Sequence, residues 1–160
     1  VVYLQVVEST QRIKIAAAVG EQLPSFCTAS GKAFLAYLPE EYTLKLLSQE
    51  LTRYTEYTVV TPDELMKDLR QTRERGFAIS AQEYEKDIHA VAAPIMDGKG
   101  CPMAVIAIVG PSYRMPNDRM QILGQMIRET VDLVVLEVGL ATLSMTLSKN
   151  GFPCPDVHIE

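Results

Sequence analysis

The feature that most constrains the fold is a pair of long apolar segments, residues 88–96 and 102–110, with a short polar sequence between them. The intervening Asp97-Gly98-Lys99-Gly100 is rich in residues that favour tight turns between strands. Two strands joined by so short a connection lie antiparallel. The sequence therefore predicts a long β-hairpin and, with it, an antiparallel sheet.

Two other regions also predict strands. Residues 1–8 and 12–18 alternate or run apolar on either side of Ser9-Thr10-Gln11, which indicates a hairpin that closes into Gly20. Residues 77–80 are a short, mainly apolar run and predict one further strand.

Helical patterns fill much of the remaining sequence. A first helix is predicted from about Ser30 to Leu38, where Pro39 stops it, and a second covers residues 40–48. The last helix is predicted to start near Asn117 and to reach the early 140s, because its apolar residues recur at helical spacing.

A third helix, between these, has the clearest boundaries. Thr61 is placed to cap it, Pro62 suits the first helical position, and Glu64 completes a capping box three residues after Thr61. Gly76 is placed to end it. The order of hairpins and helices predicts an α+β fold, with helices packed on an antiparallel sheet and a long C-terminal helix.

Composition limits the number of domains and the classes of partner. With 160 residues, 48% of them hydrophobic, the chain is large enough for one domain with a substantial core. We assign residues 1–148 to that domain and residues 149–160, which lack periodicity, to a C-terminal tail. The net charge of −5 argues against a nucleic-acid surface on this segment. Arg70, Arg73 and Arg75 form a basic cluster, which we interpret as a solvated helix face.

The expected location is cytoplasmic. No apolar run approaches the length of a membrane span, so no membrane partner is expected. Cys27, Cys101 and Cys154 lie far apart and cannot all pair within one chain, which suits a reducing compartment. Because the sequence opens on strand-like residues without a methionine, we expect an N-terminal part to precede it.

The candidate binding element is the loop at the start of the first helix, Thr28-Ala29-Ser30-Gly31. Thr28 or Ser30 can cap the helix, and the small residues allow a ligand to approach the backbone. Free N–H groups and the helix dipole favour a carboxylate or phosphate there. The alternative is an ordinary capped helix whose apolar residues only pack.

Catalytic, metal and cofactor sites are not indicated. Cys27 with His89 could form a thiol and base pair, and Lys32 could act as an amine nucleophile, but only their residue types point that way. We interpret Cys27 as a small buried residue and His89 as a structural or interface histidine, since strand alternation turns it away from Ala90. No metal-ligand spacing occurs, and Gly31-Lys32 lacks the other residues of a phosphate-binding loop.

Four sequence blocks together resemble the effector-binding domain of the IclR family of bacterial transcription regulators, which has a GAF-like fold. The blocks appear in the family's order and cover nearly the whole chain: Val19-Gly20 and Leu23-Pro24 leading to Thr28-Ala29-Ser30-Gly31-Lys32-Ala33; Arg73-Glu74-Arg75-Gly76-Phe77-Ala78; Ala92-Ala93-Pro94-Ile95; and Ala104-Val105-Ile106-Ala107-Ile108-Val109-Gly110-Pro111. The resemblance implies an N-terminal winged helix-turn-helix outside this sequence, through which the protein binds DNA. It also implies a homodimer or homotetramer.

The resemblance further implies a pocket for a small organic effector, often a carboxylic acid, between the sheet and the helix-start loop. The N–H groups of Ala29 and Ser30 would hold the acid. The pocket side is expected to include the remaining candidate ligand-binding residues: Thr28, Gly31, Ser80, Ala90, Ala92, Ala107 and Val109. Period-two alternation supports Ala90 with Ala92, and Ala107 with Val109, as residues that share a face.

Departures from the family pattern bear on the ligand. Some relatives that bind very small keto acids have Asp, Cys and two Ser where this chain has Ser80, Ala90, Ala107 and Val109. The less polar set favours a larger acid with an apolar or aromatic body.

A second hypothesis is a structural assembly domain, in which the apolar surfaces of residues 1–7 and of the last helix join subunits and no ligand binds. The two hypotheses differ in whether the space behind Ala29, Ala90 and Ala107 is filled by side chains such as Phe34, Met96 and Met103 or is left open as a cavity.

Overall fold

A computed structural model describes residues 1–138 and confirms the predicted α+β fold. The helices are α1 (Ala29–Leu35), α2 (Glu40–Leu47), α3 (Pro62–Arg75) and α4 (Asn117–Val138), and the strands are β1 (Ala78–Ala81), β2 (Ile88–Met96) and β3 (Pro102–Pro111), with a short 3-10 turn at Ser112–Arg114. No helix in this part of the chain combines the length and the hydropathy that a membrane crossing requires.

The strands form an antiparallel sheet in the order β1-β2-β3. The predicted hairpin is confirmed as β2 and β3, and its turn contains Gly100 at φ 81°, a left-handed conformation that glycine adopts without strain. In the central strand, Ala90 pairs with Ser80 on one side and with Val109 on the other. The register thus places three candidate residues in a row across the sheet.

Helices cover both faces of the sheet. On one face, Val91 belongs to an apolar cluster with Met120, Ile127 and Val131 of α4. On the other face, Ala92 lies in a cluster of alanines with Ala29 and Ala33 of α1. The alternation of side chains along β2 separates these two clusters.

Small residues on this second face let α1 lie close to the strands. The remaining helices extend the core beyond α1, where Cys27, Leu35 and Leu38 pack against Leu65 and Leu69 of α3. The start of α1 is therefore held between the sheet and α3.

The predicted N-terminal hairpin is wrong. Residues 1–18 contain no strand, and the structure shows a single antiparallel bridge, Val2 with Gln22. Leu4, Val7 and Ile13 are exposed, so their alternation does not correspond to burial against a sheet. The physical reason is that an isolated two-stranded hairpin is marginal in water, and Ser9-Thr10-Gln11 lacks the residues of a tight turn.

Helix boundaries agree with the sequence prediction in most cases. Gly76 ends α3 at φ 83°, as predicted, but the capping box is not formed, because the Thr61 hydroxyl bonds the Glu64 carboxylate instead of a backbone N–H. The first helix ends at Leu35, three residues earlier than predicted. The predicted extension of α4 into the 140s and the tail from residue 149 lie outside the described residues.

The interpretation of the basic cluster as a solvated face holds for Arg70 and Arg73, which are exposed, whereas Arg75 is half-buried. Arg73 donates hydrogen bonds to the carbonyl oxygens of Ala36 and Leu38, beyond the end of α1. Arg75 Nε donates to the Phe77 carbonyl at 2.5 Å. Arg73 and Arg75 thus also bond backbone carbonyls that lie just beyond the ends of α1 and α3.

Gly124→Ala is expected to destabilise the domain. A Cβ at position 124 of α4 would lie 2.2 Å from ring carbons of the buried Phe77. Overpacking of this kind costs about 1–3 kcal/mol, whereas removing a helical glycine gains only about 1 kcal/mol. Urea unfolding measures the difference, with Gln125→Ala at the neighbouring exposed position as the control. Equal stability of Gly124→Ala and the parent would contradict the close contact.

Candidate functional site

The candidate site begins at the loop before α1. Thr28 has an extended backbone, and its Oγ1 accepts from the Gly31 N–H at 3.2 Å and donates to the Pro24 carbonyl at 2.7 Å. Thr28 is therefore the cap, one of the two predicted alternatives. Within residues 1–138, the structure shows no acceptor for the N–H groups of Ala29 and Ser30. The first turn of α1 thus retains two backbone donors.

Gly31 has a packing role in this loop. A Cβ at Gly31 would lie 2.3 Å from the Cα and the carbonyl oxygen of Ser25, which are backbone atoms that cannot rotate away. The loop before α1 consequently folds back onto the helix at this point. Glycine at position 31 permits this approach of two backbone segments, and Gly31 does not line the cavity described next.

An inner cavity of about 70 Å³ opens beside the start of α1. Six of the nine candidate residues line it: Thr28, Ala29, Ser30, Ser80, Ala90 and Val109. The Ser80 hydroxyl is also bonded to the Cys27 carbonyl at 3.0 Å, so this strand end is fixed to the loop before α1. The structure therefore brings together the loop at the start of α1 and the row formed by Ser80, Ala90 and Val109 across the sheet.

The other three candidates lie elsewhere. Ala92 is fully buried among the alanines between α1 and the sheet. Neither Ala92 nor Gly31 lines the inner cavity or the outer cleft described next. Ala107 lines a second, outer cleft of about 540 Å³ between the N-terminal segment, β3 and the start of α4. Val109 lines both spaces, as do Tyr3 and Ile15. The inner cavity and the outer cleft are thus neighbours.

Four polar residues of the cavity wall were missed by the sequence prediction: Tyr3, Glu21, Tyr84 and Glu85. Burial raises the pKa of Tyr84, and the neighbouring Tyr54, Glu21 and Glu85 raise it further. Its phenol therefore stays protonated and is available as a donor. Residues 82–87, between β1 and β2, are mainly polar, and nothing in their sequence pattern indicates that Tyr84 and Glu85 line a cavity.

Two of the potential nucleophile and base residues are engaged in the fold. Burial and the nearby Glu83 carboxylate raise the pKa of the Cys27 thiol to about 12, so it is a neutral core group at physiological pH. His89 is buried, and its Nδ1 lies 2.8 Å from the Met115 carbonyl on the α4 side of the sheet. These observations agree with the interpretation of Cys27 as a small buried residue and of His89 as a structural histidine.

Lys32 is also buried, on α1. Its Nζ lies 2.6 Å from Asp68 Oδ2 on α3 and 2.6 Å from Glu83 Oε1 in the segment after β1. Because Lys32 is only 1% exposed and holds two carboxylates, its amine is not presented to a ligand in the inner cavity.

Comparison with known proteins agrees with this architecture. The family model described as bacterial transcriptional regulator IclR C-terminal matches residues 1–135. Transcriptional repressor IclR of Escherichia coli (strain K12) is 38% identical over 134 residues, which cover 83% of this chain and 49% of that protein. The chain belongs to the IclR family and corresponds to its C-terminal, effector-binding domain. It spans about half the length of the curated relatives it matches.

Solved structures show the same fold. The IclR protein of Thermotoga maritima superposes with a TM-score of 0.79 and 30% identity, over 86% of this chain and 56% of that one. The inducer-binding domain of the PobR transcription factor from Acinetobacter, a double mutant in complex with 3-hydroxybenzoic acid, gives a TM-score of 0.69 and 23% identity, over 78% and 73% of the two chains.

Glu83→Gln is expected to alter the pH dependence of stability. Burial raises the pKa of Glu83 above its ordinary 4.5, although Lys32 partly opposes this. The folded protein therefore holds this proton more tightly than the unfolded chain, and Glu83 contributes most stability below pH 4.5 and loses it as the pH rises through the folded-state pKa. The unfolding free energy of the variant should increase relative to the parent over the pH interval above 4.5. Urea unfolding at several pH values measures this difference, and parallel pH curves would contradict the expectation.

Proposed function

We propose that this domain senses a small organic acid for a bacterial transcription regulator, and that the acid's carboxylate binds the N–H groups of Ala29 and Ser30. The observation that carries the proposal is that Ala29 and Ser30, whose N–H groups have no acceptor among the described residues, line a cavity next to the sheet. Backbone N–H groups at a helix start suit an anion because their dipoles point outward. No catalytic step is part of this function.

The two neighbouring spaces suggest how a larger acid is accommodated. The inner cavity has room for little more than a carboxylate and its nearest atoms, whereas the outer cleft falls in the size range of ligand sites. An apolar or aromatic body would extend past Val109 to Ala107, which together form an apolar edge of β3. The double mutant of the PobR inducer-binding domain, which shares the fold, forms a complex with 3-hydroxybenzoic acid, an acid of this shape.

The structure favours a ligand-sensing role over the alternative of an assembly domain without a ligand. Filling of the space behind Ala29, Ala90 and Ala107 by side chains such as Phe34, Met96 and Met103 would support that alternative. Phe34 instead packs against the cluster shared by α1 and α3, Met103 is half exposed, and none of the three lines the inner cavity. The space beside α1 is therefore left open.

The complete protein is proposed to bind DNA through an N-terminal winged helix-turn-helix outside this sequence and to act in the cytoplasm. Relatives with this domain are named as repressors. Binding of the acid would favour one arrangement of subunits in a homodimer or homotetramer, and it alters DNA affinity only by its difference in affinity between those arrangements.

Val109→Asp and Val109→Asn form a matched pair that tests the anion site. Both side chains have nearly the same size, but only aspartate places a negative charge at the junction of the two spaces. In the parent, an acid at one hundred times its dissociation constant should add about 2.7 kcal/mol to stability. We expect Val109→Asn to keep this stabilisation and Val109→Asp to lose it, as measured by thermal unfolding.

The panel for this measurement runs from keto acids and sugar acids to hydroxybenzoates and phenylacetates, each with its uncharged amide as a control ligand. Amides should give no stabilisation, because they lack the anionic group. Equal responses of the two Val109 variants to an acid would show that the acid binds elsewhere. No response of the parent to any acid would contradict the proposed ligand class.

Self-association is expected of the isolated domain. On α4, apolar residues at helical spacing are exposed, among them Ile122, Met126 and Leu133. Sedimentation equilibrium of this chain should give the mass of a dimer or tetramer, and Met126→Glu should lower it because a charge would lie on the exposed stripe. A monomer at all concentrations would contradict the homo-oligomer.

A further inference from the structure

A buried ion pair joins the first helix to the segment between β1 and β2. This segment, residues 82–87, is called the connector below. Lys32 of α1 and Glu83 of the connector are 1% and 8% exposed, and Lys32 Nζ lies 2.6 Å from Glu83 Oε1. Lys32 lies within one turn of Ser30, so the contact ties the connector to the same turn that carries the helix-start donors.

The ion pair is poorly suited to add stability. Burial removes both charges from water, and the second oxygen of Glu83, Oε2, is buried without a hydrogen-bond partner among residues 1–138. Asp68 and Arg75 complete a group of four charges with no net charge, since Arg75 lies 3.4 Å from Asp68 and Asp68 also contacts Lys32. Buried pairs of this kind often contribute little or nothing to stability compared with apolar residues. The geometry that the pair imposes is a better explanation of its presence.

The connector has a backbone that requires support. Gln82 and Asp87, at its two ends, have φ angles of 61° and 63°, in the left-handed region that residues other than glycine seldom adopt. Its carbonyl groups are held from the loop before α3, because Thr55 Oγ1 donates to the Gln82 carbonyl at 2.7 Å and Thr58 Oγ1 donates to the Glu83 carbonyl at 2.6 Å. Such conformations persist where surrounding contacts determine them.

The next two residues of the connector form part of the cavity wall. Tyr84 and Glu85 line the inner cavity, and the Tyr84 ring packs edge to face on Tyr54 with their centroids 5.0 Å apart. The side chain of Glu83 points away from this wall, toward Lys32. Glu83 therefore links the wall residues Tyr84 and Glu85 to α1, the helix whose first turn carries the free N–H groups.

We propose that Lys32 and Glu83 are positioning residues of the effector site, whose ion pair sets the distance between the Tyr84 and Glu85 wall and the helix-start donors. The width of the inner cavity, and with it the size of the acid headgroup that fits, follows from this contact. The role in selecting acids rests on the proposed function, whereas the position of the wall is measurable without any ligand.

Tyr84→Trp supplies a reporter of the wall, because the chain contains no tryptophan. In this background, Glu83→Gln keeps a side-chain oxygen that can accept a hydrogen bond from Lys32. Glu83→Leu removes that oxygen, with a side chain of similar volume. The measurement is acrylamide quenching of the fluorescence of the introduced tryptophan in the folded chain without ligand. Glu8→Leu in the same background is the control, because it breaks the exposed Lys14 and Glu8 pair, which has no contact with the connector.

Glu83→Leu should raise the quenching constant of the introduced tryptophan severalfold, because the wall is no longer held and the ring becomes accessible. Glu83→Gln and Glu8→Leu should leave the constant near that of the background. Equal quenching in the Gln and Leu variants of Glu83 would overturn the proposal. If Glu83→Leu does not fold, Glu83→Asp, which shortens the side chain by one methylene, replaces it with the same expected rise, and unchanged quenching in that variant would overturn the proposal.

The Tyr84→Trp background and its Glu83 variants are then heated with pyruvate and with 3-hydroxybenzoate as probes. We expect Glu83→Leu to lose the preference between these two acids that the background shows. A background that neither acid stabilises, together with the expected quenching pattern, would count against these ligands and leave the position of the wall established. Expected binding in the background with an unaltered preference in Glu83→Leu would overturn the role in selection.

Discussion

The close approach of α1 to the sheet is the constraint on which the rest of the site depends. It exists because alanine occupies both sides of the contact, with Ala29 and Ala33 facing Ala78 and Ala92. A larger side chain at any of these positions would lift the helix from the strands, since interiors are packed without spare volume. The contact holds the donors of the first turn beside Ser80 and Ala90, and α3 and the connector are in turn arranged around the opposite side of α1.

Much of the fold was predictable from local patterns. The hairpin of β2 and β3, the ends of α3 and the start of α4 follow from turn residues, a left-handed glycine and apolar spacing, all of which act over a few neighbouring residues. The structure of the N-terminal segment was not predictable in this way. An alternating sequence forms a strand only where a partner strand is present, and residues 1–18 have no partner strand in the structure. The hydrogen bonds of Arg73 and Arg75 were not predictable for a similar reason, since their partners are carbonyl groups that the charge pattern of the helix does not reveal.

The candidate site divides in the same way. Alternation correctly indicated that Ala90 and Ala92 share a face, and capping chemistry offered Thr28 as one of two caps, of which the structure has Thr28. Sequence patterns could not show that Ala92 lies beneath α1 instead of beside the cavity, because the extent of a helix over a sheet depends on tertiary packing. Nor could they indicate the residues that return to the site through space: Tyr3, Tyr84 and the buried partners of Lys32.

Alternate residues of the central strand, β2, face opposite sides of the sheet, one with the inner cavity and the other with α4. Along β2, Ala90 and Ala92 face the α1 side, whereas His89, Val91 and Ala93 face the α4 side. The same division continues across the sheet, with Ser80 and Val109 on the cavity side and Ile79 and Ile108 on the side of α4. Under the proposed function, mutations at the cavity-side positions Ser80, Ala90 and Val109 would change ligand preference while leaving the packing of α4 on the sheet untouched. Under that function, the chemistry of one face of the sheet can change while the apolar core on its other face stays the same.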